Sequence, residues 1–580
     1  MYVRKVLHKE PFQYADSSTF NGTSTANLVS SGADWTITNN GTSVPYITSP
    51  AAGTAKYLTN YTTTTLPSTQ CMFEIECNAS AFGTEGVGLI FCANANAKTF
   101  ATAYRLRQDA TTLFIDEYAS STWSNVESFA LNGTAGLDYF YRIIYFKAAL
   151  TVQGISISGP AAGDIYVYRG TSYDNLAYVG KANDSSGLLS GGFFGPFKGN
   201  NATGVFGAMG AYGLWNLDVD YVDVKHKLDA DSEATIGMVR NSEALNSTYS
   251  VGDRIEVWVP DVDMEQGTEL VRLYFDGKVE VNPNMPGKDY YQAFGHTREL
   301  AQQHWNNGTA TMNGTATSYL RTRLNSYCSP SGVNTSQTTT SVLHSNNLKT
   351  SIVESNRSVQ AMRADMAFKK LCSEVGYSSF FFPDCRFFVT DTMFDPSITI
   401  SSASQYLRML EPEIVYDGKQ ITNVINNYYG GCLGVPVNGT NGTSIASTGV
   451  RAREVIDVLV NTSAVGTNVN SGLLTNYSEN LAIVKMSLIQ QFMNVFPGMK
   501  IGLILAGTGI GTNGTSDTDS WSAQSMTCNE THYDSRTGVH EIVLVPADSD
   551  SPKIRAWPLS DKIDPSKNLR NLGSQVAFLG

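Results

Sequence analysis

Short segments of alternating apolar and polar residues run through the first part of the chain, separated by clusters of Gly, Asn and Ser. Between residues 11 and 224 the predicted strands keep a period of two, which places their apolar side chains on one face. Many short strands with almost no helical periodicity predict an antiparallel β-sandwich or jelly roll. The segments are CMFEIEC (71–77), VGLIFCA (87–93), TAYRLRQ (102–108), TLFIDEY (112–118), YFYRIIYF (139–146), DIYVYRG (164–170) and WNLDVDYVDV (215–224).

A second group of alternating segments begins near Lys225. EATIGMV predicts one strand, and VGDRIEVWVPD and ELVRLYFDGKVE predict two more. We expect turns at Gly252-Asp253 and at Asp276-Gly277 to close these strands, because Gly and Asp favour turn conformations. Half-buried strands joined by such turns indicate a small barrel.

The pattern changes after residue 300. Residues 301–350 are rich in Asn, Thr and Ser and predict a long surface segment. A helix is predicted next, because Gly376 lies where a C-terminal cap belongs and apolar residues before it repeat near the helical period, at Val359, Met362, Met366 and Leu371. FFFPDCRFFVTD (380–391) then predicts a strand, ASQYLRMLEP (403–412) predicts a short helix, and the chain is β again from Ile414.

These elements predict a mainly β, multidomain protein. The 580 residues exceed what one hydrophobic core organises, since single cores stop growing near ~250–300 residues. We predict a β-sandwich jelly roll over 1–224, a first β-barrel over 225–300, a loop-rich segment with an α/β insertion over 301–412, and a second β-barrel region over 413–580.

The order of features in the first domain resembles the concanavalin-A-like or laminin-G-like jelly roll of lectins and carbohydrate-binding modules. Asp16, Phe20 and Trp35 come first, and the segments FEIE, GVGLIF, YRLR, YRIIYF, GVFGAMGAYG and DVDYVDV follow. The resemblance covers about two fifths of the chain and implies sugar recognition.

The second half resembles the hub proteins of phage tails and of related baseplates. The resemblance lies in YSVGDRIEVWV with RLYFDGKVE, in the helix and FFVTD strand after Met362, in DGKQITNVINNYYGG (417–431), and in PGMKIGL before the strands around His532 and His540. It implies two similar barrels, an α/β insertion, and three copies closing into a ring that contacts other tail proteins.

Charge and hydropathy limit the partners. The net charge is −12 and no run of Lys and Arg occurs, so we expect no specific nucleic-acid binding. No apolar run approaches the length of a membrane span, and we identify no secretory signal in the first 20 residues. We therefore expect assembly in the host cytoplasm and a final location in a virion tail.

The eight cysteines form no C-x-x-C pair, which argues against a metal finger. Cys71 and Cys77 share a strand face and are expected to be buried free thiols. The 18 N-x-S/T sequons suit either a glycosylated surface protein or, as we prefer, a turn-rich composition in which sequons arise by chance.

We find no catalytic set in the sequence. Glycan hydrolysis needs two carboxylates across a cleft, and Glu74 with Glu76, or Asp116 beside Tyr118, are equally explained as solvated strand faces. No histidine spacing is typical of a metal site, and no G-x-S-x-G nucleophile motif is present.

Calcium is the one cofactor that the sequence favours at all. Asp16, Asp218, Asp220 and Asp223 would bring hard oxygen ligands to paired terminal strands. Acidic residues on the exposed face of an edge strand explain the same pattern, and we prefer that interpretation.

Sugar binding would use aromatic rings that stack on the apolar side of a pyranose. The candidates are Tyr118, Trp123, Tyr166 and Tyr168, with Phe194 and Phe197 as further aromatic residues.

The function expected from these observations is structural and adhesive: a tail-tip or baseplate hub ring with a lectin-like domain for host-surface glycan. A cell-surface carbohydrate-binding adhesin is the first alternative and would explain the sequons. A glycan-active enzyme is the second alternative and would need acid and base residues that the sequence does not reveal.

Overall fold

The computed structural model describes residues 2–301 with short gaps, Arg363 and Asp365, residues 378–505 with further gaps, and residues 521–546. The strands of the first 301 residues are β1 Tyr2–Glu10, β2 Thr19–Phe20, β3 Leu28–Ser30, β4 Trp35–Thr38, β5 Tyr46–Thr48, β6 Lys56–Asn60, β7 Gln70–Ala81, β8 Val87–Ala93, β9 Ala103–Gln108, β10 Thr112–Ala119, β11 Thr122–Ala130, β12 Asp138–Phe146, β13 Thr151–Val152, β14 Ile155–Ser156, β15 Asp164–Gly170, β16 Leu176–Asn183, β17 Phe193–Lys198, β18 Thr203–Trp215, β19 Val219–Lys227, β20 Glu233–Met238, β21 Arg254–Asp263, β22 Thr268–Val281 and β23 Tyr290–Gly295. The later strands are β24 Ser378–Phe381, β25 Phe387–Thr390, β26 Phe394–Ser401, β27 Glu413–Asp417, β28 Val424–Tyr429, β29 Val437–Thr440, β30 Ala452–Asp457, β31 Leu481–Ile489, β32 Met499–Leu505, β33 Trp521–Asp534 and β34 Val539–Pro546. Helices with described bounds are α1 Thr297–Ala301 and α2 Gly442–Thr448, and within the described ranges no helix is long and apolar enough to cross a membrane.

The contacts divide the chain into two compact units. Unit 1 comprises residues 1–220, 238–260 and 270–291, and unit 2 comprises 221–237, 261–269 and 292–580. The chain is mainly β and multidomain, as predicted. The four domain boundaries drawn from the sequence stay predictions.

Unit 1 is a sandwich of two antiparallel sheets. The first sheet follows the order β16-β15-β12-β7-β18-β1-β21. The second sheet follows the order β11-β10-β9-β8-β17-β6-β3. The alternation in the sequence places Phe73 and Ile75 of β7 and Leu89 and Phe91 of β8 in one core, where all four are fully buried. The predicted sandwich is therefore confirmed.

The described cysteines follow the predicted strand faces. Cys71 and Cys77 lie in the sandwich core on β7, and Cys92 lies there on β8. Together with Cys528 they are buried and unbonded to one another by disulfides. Burial raises the pKa of the Cys77 and Cys528 thiols, which keeps both protonated.

A chain of buried ion pairs fastens β1 within unit 1. The Arg4 guanidinium contacts both oxygens of Glu74 at 2.8 Å and Oε2 of Glu256 at 2.7 Å. Arg142 Nε donates to Glu74 at 2.6 Å, and Lys9 Nζ donates to Glu256 at 2.9 Å. These residues lie on β1, β7, β12 and β21, so the network joins four strands of the first sheet. We call these five residues the ion network.

Unit 2 contains an antiparallel set in the order β27-β31-β34-β33-β32, and β26 pairs with β32 in parallel. Strand β33 also pairs with residues 223–227 of β19. A separate three-stranded sheet has β28 between antiparallel β29 and parallel β30. Helix α2 follows β29, and Asn441 caps its N-terminus by accepting a hydrogen bond from the Ser444 amide.

Three local predictions are wrong. Asp276-Gly277 is no turn but lies inside β22, because the Asp276 carboxylate is buried and bound at 2.8 Å by Arg254 Nε. The segment 380–391 forms two strands, β24 and β25, rather than one, since Pro383 ends the first. In 403–412 no helix is assigned to the described residues: the Leu407 amide donates to the Ser404 carbonyl in a turn, and Met409 bridges Leu488.

The other local predictions concern the strands after Lys225 and the segment that follows residue 301. Strands β20 and β21 lie where they were predicted, and a turn at Gly252-Asp253 immediately precedes β21. The helix predicted around Met362 and Met366 and the loop predicted over 302–350 lie outside the described residues.

Candidate carbohydrate-binding faces

The four predicted sugar-binding residues do not form one site. Tyr118 lies on β10 and Trp123 on β11, both in the second sheet, whereas Tyr166 and Tyr168 lie on β15 in the first sheet. Because side chains alternate along a strand, the core positions of Leu113 and Ile115, and of Ile165 and Val167, send the aromatic residues to the outer faces. The two pairs therefore occupy opposite outer faces of the sandwich.

On the second sheet, Tyr118 and Trp123 face each other across the β10–β11 hairpin with ring centroids 5.0 Å apart. Phe100 packs at 5.2 Å from Tyr118, and Tyr57 packs at 5.2 Å from Phe100. Trp123 Nε1 donates a hydrogen bond to the Tyr57 hydroxyl at 3.1 Å. The rings of this aromatic cluster thus contact one another and are half-buried.

Arg105 fills the centre of the same cluster. Its guanidinium carbon lies 4.2 Å from the Trp123 ring centroid and 4.8 Å from that of Phe197. Its Nε donates to Asp116 at 2.8 Å, and Arg107 Nε donates to the same carboxylate at 2.6 Å. Cation–π contacts and ion pairs therefore hold these rings against the protein, which favours a packing role for Trp123.

On the first sheet, Tyr166 and Tyr168 of β15 lie beside Tyr178 of β16. The Tyr178 ring centroid is 6.2 Å from that of Tyr166 and 5.5 Å from that of Tyr168. Tyr178 is 56% exposed, which is unusual for so large a ring, while Tyr166 and Tyr168 are half-buried. We call these three residues the tyrosine ladder.

Polar groups border the tyrosine ladder. Lys181 on β16 lies 6.0 Å from the Tyr166 ring centroid and 3.3 Å from the Asp164 carboxylate. Asn183 Nδ2 donates to the other oxygen of Asp164 at 2.6 Å. Exposed rings beside a fixed set of amide, ammonium and carboxylate groups are the combination that recognises sugars in proteins.

Sequence reasoning missed Tyr178, because the strand that carries it has an irregular register. LAYVGKA was not identified as a strand, and a strict period of two would set Tyr178 and Lys181 on opposite faces; a register shift in β16 opposite Val167 and Tyr168 brings both beside Tyr166. Of the two further aromatic residues, Phe194 lies in the sandwich core and Phe197 lies beneath Arg105, and both are fully buried.

The carboxylates considered for hydrolysis are bound to arginines, so the expectation of solvated strand faces is wrong for Glu74 and Asp116. Both are 2% exposed. Burial alone would raise the pKa of Glu74, but Arg4 and Arg142 outweigh it and hold that pKa near 2. Such a carboxylate stays ionised and engaged, which makes it unsuited to proton transfer near neutral pH.

Glu76 differs from its neighbour. Burial, and then the charge of Asp138, raise the pKa of Glu76 to about 7. The Asp138 carboxylate accepts a hydrogen bond from Asn78 at 2.8 Å. A raised pKa of this kind also occurs at acids in active sites, but here its causes are local burial and one like charge.

The predicted calcium ligands are only partly within the described residues. Asp16 and Asp218 lie outside them, and Asp220 is exposed. In unit 2, the Asp223 carboxylate contacts His532 Nε2 at 2.9 Å and Arg536 at 3.6 Å. Across the ranges that the structure covers, no three His, Cys, Asp or Glu side chains cluster as a metal site would require. Structural calcium stays a prediction.

The asparagines of two sequons are buried in the structure. Asn60 is fully buried, and its Nδ2 donates to the Gly192 carbonyl at 3.0 Å. Asn529 is 1% exposed. Neither amide is presented to solvent, which agrees with sequons that arise from composition.

No protein-family model and no curated protein matches the chain. Among solved structures, it is similar to the tail protein from Neisseria meningitidis, with 10% identity, 58% of this chain and 94% of that chain covered, and a TM-score of 0.40. It is similar to a 43 kDa prophage tail protein from Shewanella oneidensis, with 12% identity, coverage of 59% and 96%, and a TM-score of 0.38. A carbohydrate-binding module from Bacillus subtilis aligns at 15% identity over 33% of this chain and 96% of that chain, with a TM-score of 0.23. At these scores the likeness carries no argument about function.

Proposed function

We propose that this chain is a non-catalytic structural protein of the tail tip of a tailed virus or a related injection machine, and that its sandwich attaches to host-surface glycan. The hub part of the proposal rests on the order of the hub-like segments over about 350 residues. Three copies would close into a ring with other tail proteins, located in the virion tail after assembly in the host cytoplasm.

The glycan part rests on one observation, the exposed tyrosine ladder on β15 and β16. Tyr178 presents more than half of its surface to solvent, and Tyr166 and Tyr168 extend the same aromatic surface. Single platforms of this kind bind sugars weakly, and several copies on one ring would increase avidity without new contacts.

The proposal does not include glycan cleavage, because two of the carboxylates considered for it from the sequence are bound to arginines. Glu74 and Asp116 are both fixed by arginine side chains at 2.8 Å or less. A pair of carboxylates that acts on a glycosidic bond must reach the substrate from two sides. The intact chain should therefore bind glycan and leave it uncut.

A glycan array with the intact chain tests the attachment function. Tyr178→Ala should weaken the strongest glycan signal by about tenfold, the equivalent of 1.4 kcal/mol. Leu188→Ala is the matched control, because Leu188 is a similarly exposed apolar residue of unit 1 at 45%. Equal binding by wild type and Tyr178→Ala would contradict the role of the ladder, and shortened glycan products would support the enzyme alternative.

Native mass spectrometry of the intact chain tests the hub function. A closed trimer is expected. A monomer at high concentration would contradict the ring and favour the adhesin alternative.

A further inference from the structure

A groove in unit 2 is separate from the faces described above. It lies beside β29 and the start of α2, has a volume of about 440 Å³, and is lined by Asn438, Gly439, Thr440, Asn441, Gly442, Thr467, Asn470, Ser471 and Leu474. That volume falls within the range of about 300–1,000 Å³ that is typical of small-molecule sites. The groove is therefore large enough for a small ligand.

The chemistry of the lining selects an uncharged ligand. None of the nine lining residues is charged. Three asparagine amides, three hydroxyl side chains and one apolar side chain, Leu474, surround the space. Amides and hydroxyls both donate and accept hydrogen bonds, which matches the hydroxyl groups of a sugar, and Leu474 matches the apolar C–H face of a sugar ring.

Asn470 supplies an observation that points to a ligand. It is 2% exposed, and its Nδ2 donates to the Val437 carbonyl at 2.8 Å. That bond fixes the amide orientation and leaves Oδ1 as a buried acceptor with no hydrogen-bond donor among the described residues. A buried acceptor without a donor is costly, and a ligand hydroxyl entering the groove would satisfy it.

The wall of the groove is held in place before any ligand arrives. Asn441 Oδ1 accepts from the Ser444 amide at 3.1 Å, and Asn441 Nδ2 donates to the Ser478 hydroxyl at 2.8 Å. Gly439 allows Asn470 and Leu474 to pack closely against β29, because a Cβ at position 439 would lie 2.9 Å from Asn470 Cβ and 3.0 Å from Leu474 Cδ1. Preorganised side chains lose less entropy when a ligand binds.

We propose that this groove binds a neutral sugar unit, with a ligand hydroxyl donating to Asn470 Oδ1. The site goes beyond the proposed attachment function, since it lies in unit 2 and uses none of the tyrosine ladder. It gives the chain a second class of sugar contact, through amides rather than aromatic rings.

Saturation-transfer NMR on the intact chain tests the proposal with glucose, galactose, mannose and N-acetylglucosamine as probes. At least one should bind wild type saturably. Asn470→Leu should weaken that binding about tenfold or more, because it removes the acceptor while keeping the number and branching of the side-chain heavy atoms. Ser447→Ala, on α2 but outside the groove, should leave it unchanged.

Two further variants keep the test decisive. Thr440→Arg places a long charged side chain at an exposed position of the groove rim, and it replaces Asn470→Leu if that variant fails to fold. Tyr178→Ala separates the two sites. The proposal would be overturned if sugar binding were lost in Tyr178→Ala and retained in the groove variants. It would also be overturned if none of the four sugars bound to wild type, even if the glycan array supports attachment through the ladder.

Discussion

Replacing Arg4 by methionine should remove the centre of the ion network in unit 1. Arg4 is 1% exposed, contacts Glu74 and Glu256, and lies 3.6 Å from the ring centroid of Tyr212. The substitution leaves Glu74 with Arg142 and Glu256 with Lys9, so each carboxylate keeps one of its two ion-pair partners. The cost is therefore that of a weakened network rather than of two isolated buried charges.

Two arguments give similar values for the free energy of unfolding that Arg4→Met should cost. Removing one member of a buried ion pair costs about 3–5 kcal/mol. Independently, the pKa of Glu74 falls from 4.5 to about 2, which at about 1.4 kcal/mol for each pKa unit corresponds to about 3 kcal/mol shared between Arg4 and Arg142. Arg4 also lowers the pKa of Glu256, which adds to its part of the total. We expect Arg4→Met to lower the free energy of unfolding of unit 1 by about 3 kcal/mol.

The sign of the pH dependence follows from the same groups. The pKa values of Glu74 and Glu256 are lowered in the folded state, because Arg4 and its neighbours outweigh the effect of burial. Their contribution is present above the unfolded pKa of 4.5 and is lost as the pH falls toward 2. The difference between wild type and Arg4→Met should therefore be largest near pH 7 and smaller at pH 3.

Hydrogen exchange of peptides from β1 and β21 measures this difference in the intact chain. A loss of about 3 kcal/mol speeds exchange by about 100-fold where exchange requires opening of unit 1. Lys5→Met is the matched control in the same strand, since Lys5 forms a part-exposed pair with Asp253 and should cost under about 1 kcal/mol. Equal exchange in the two variants, or an Arg4→Met effect that is as large at pH 3 as at pH 7, would refute the reasoning.

Three further predictions concern other parts of the chain. Burial lowers the pKa of His540 to about 4, so the stability of the folded chain should fall as the pH drops from about 6.5 to 4. His540→Gln should flatten that part of the profile of melting temperature against pH. An unchanged slope in this variant would argue against the role of His540. Gly88→Ala should cost about 1–3 kcal/mol or more, because its Cβ would lie 2.0 Å from the Leu106 carbonyl oxygen, whereas Gly213→Ala, with its nearest neighbour at 3.5 Å, should change the thermal midpoint little. Removing calcium with a chelator should leave the melting temperature unchanged, since Asp223 is engaged by His532 and Arg536; a rise on adding calcium would instead support a site at the other predicted aspartates.

Strand positions and strand faces were predictable where one face is buried. The period of two places Cys71, Phe73 and Cys77 on the core side of β7, as the structure shows. The same reasoning failed at Asp276-Gly277, because the residues that keep Asp276 inside a strand are Arg254 and Lys9, far away in sequence. The turn propensity of two adjacent residues contains no information about partners that are so distant in sequence.

The sites were less predictable than the fold for a related reason. Alternation assigns Tyr118 and Tyr166 to outward-facing positions, but it does not say which sheet each strand joins, and that decides whether they meet. Glu74 looked like a residue on a solvated strand face because its partners, Arg4 and Arg142, lie 70 and 68 residues away. The groove beside α2 depends on Asn470, which no motif marks.

The order of strands brings the ion network and the tyrosine ladder to adjoining parts of one outer face of the first sheet. The ion network lies over β7, β12, β1 and β21, so that part of the outer face is filled by buried charge. The tyrosine ladder lies on β15 and β16, and Tyr168 of β15 is the direct cross-strand partner of Arg142 of β12. Arg4 on β1 and Tyr178 on β16 are five strand steps apart, about 24 Å at about 4.8 Å for each step, so these two side chains are not in contact. Residues that share a partner couple, whereas distant residues without one act independently. Arg4→Met should thus weaken unit 1, and any change that it causes in the proposed affinity for glycan would be transmitted through Arg142 and Tyr168, while Tyr178→Ala should change that affinity without changing stability.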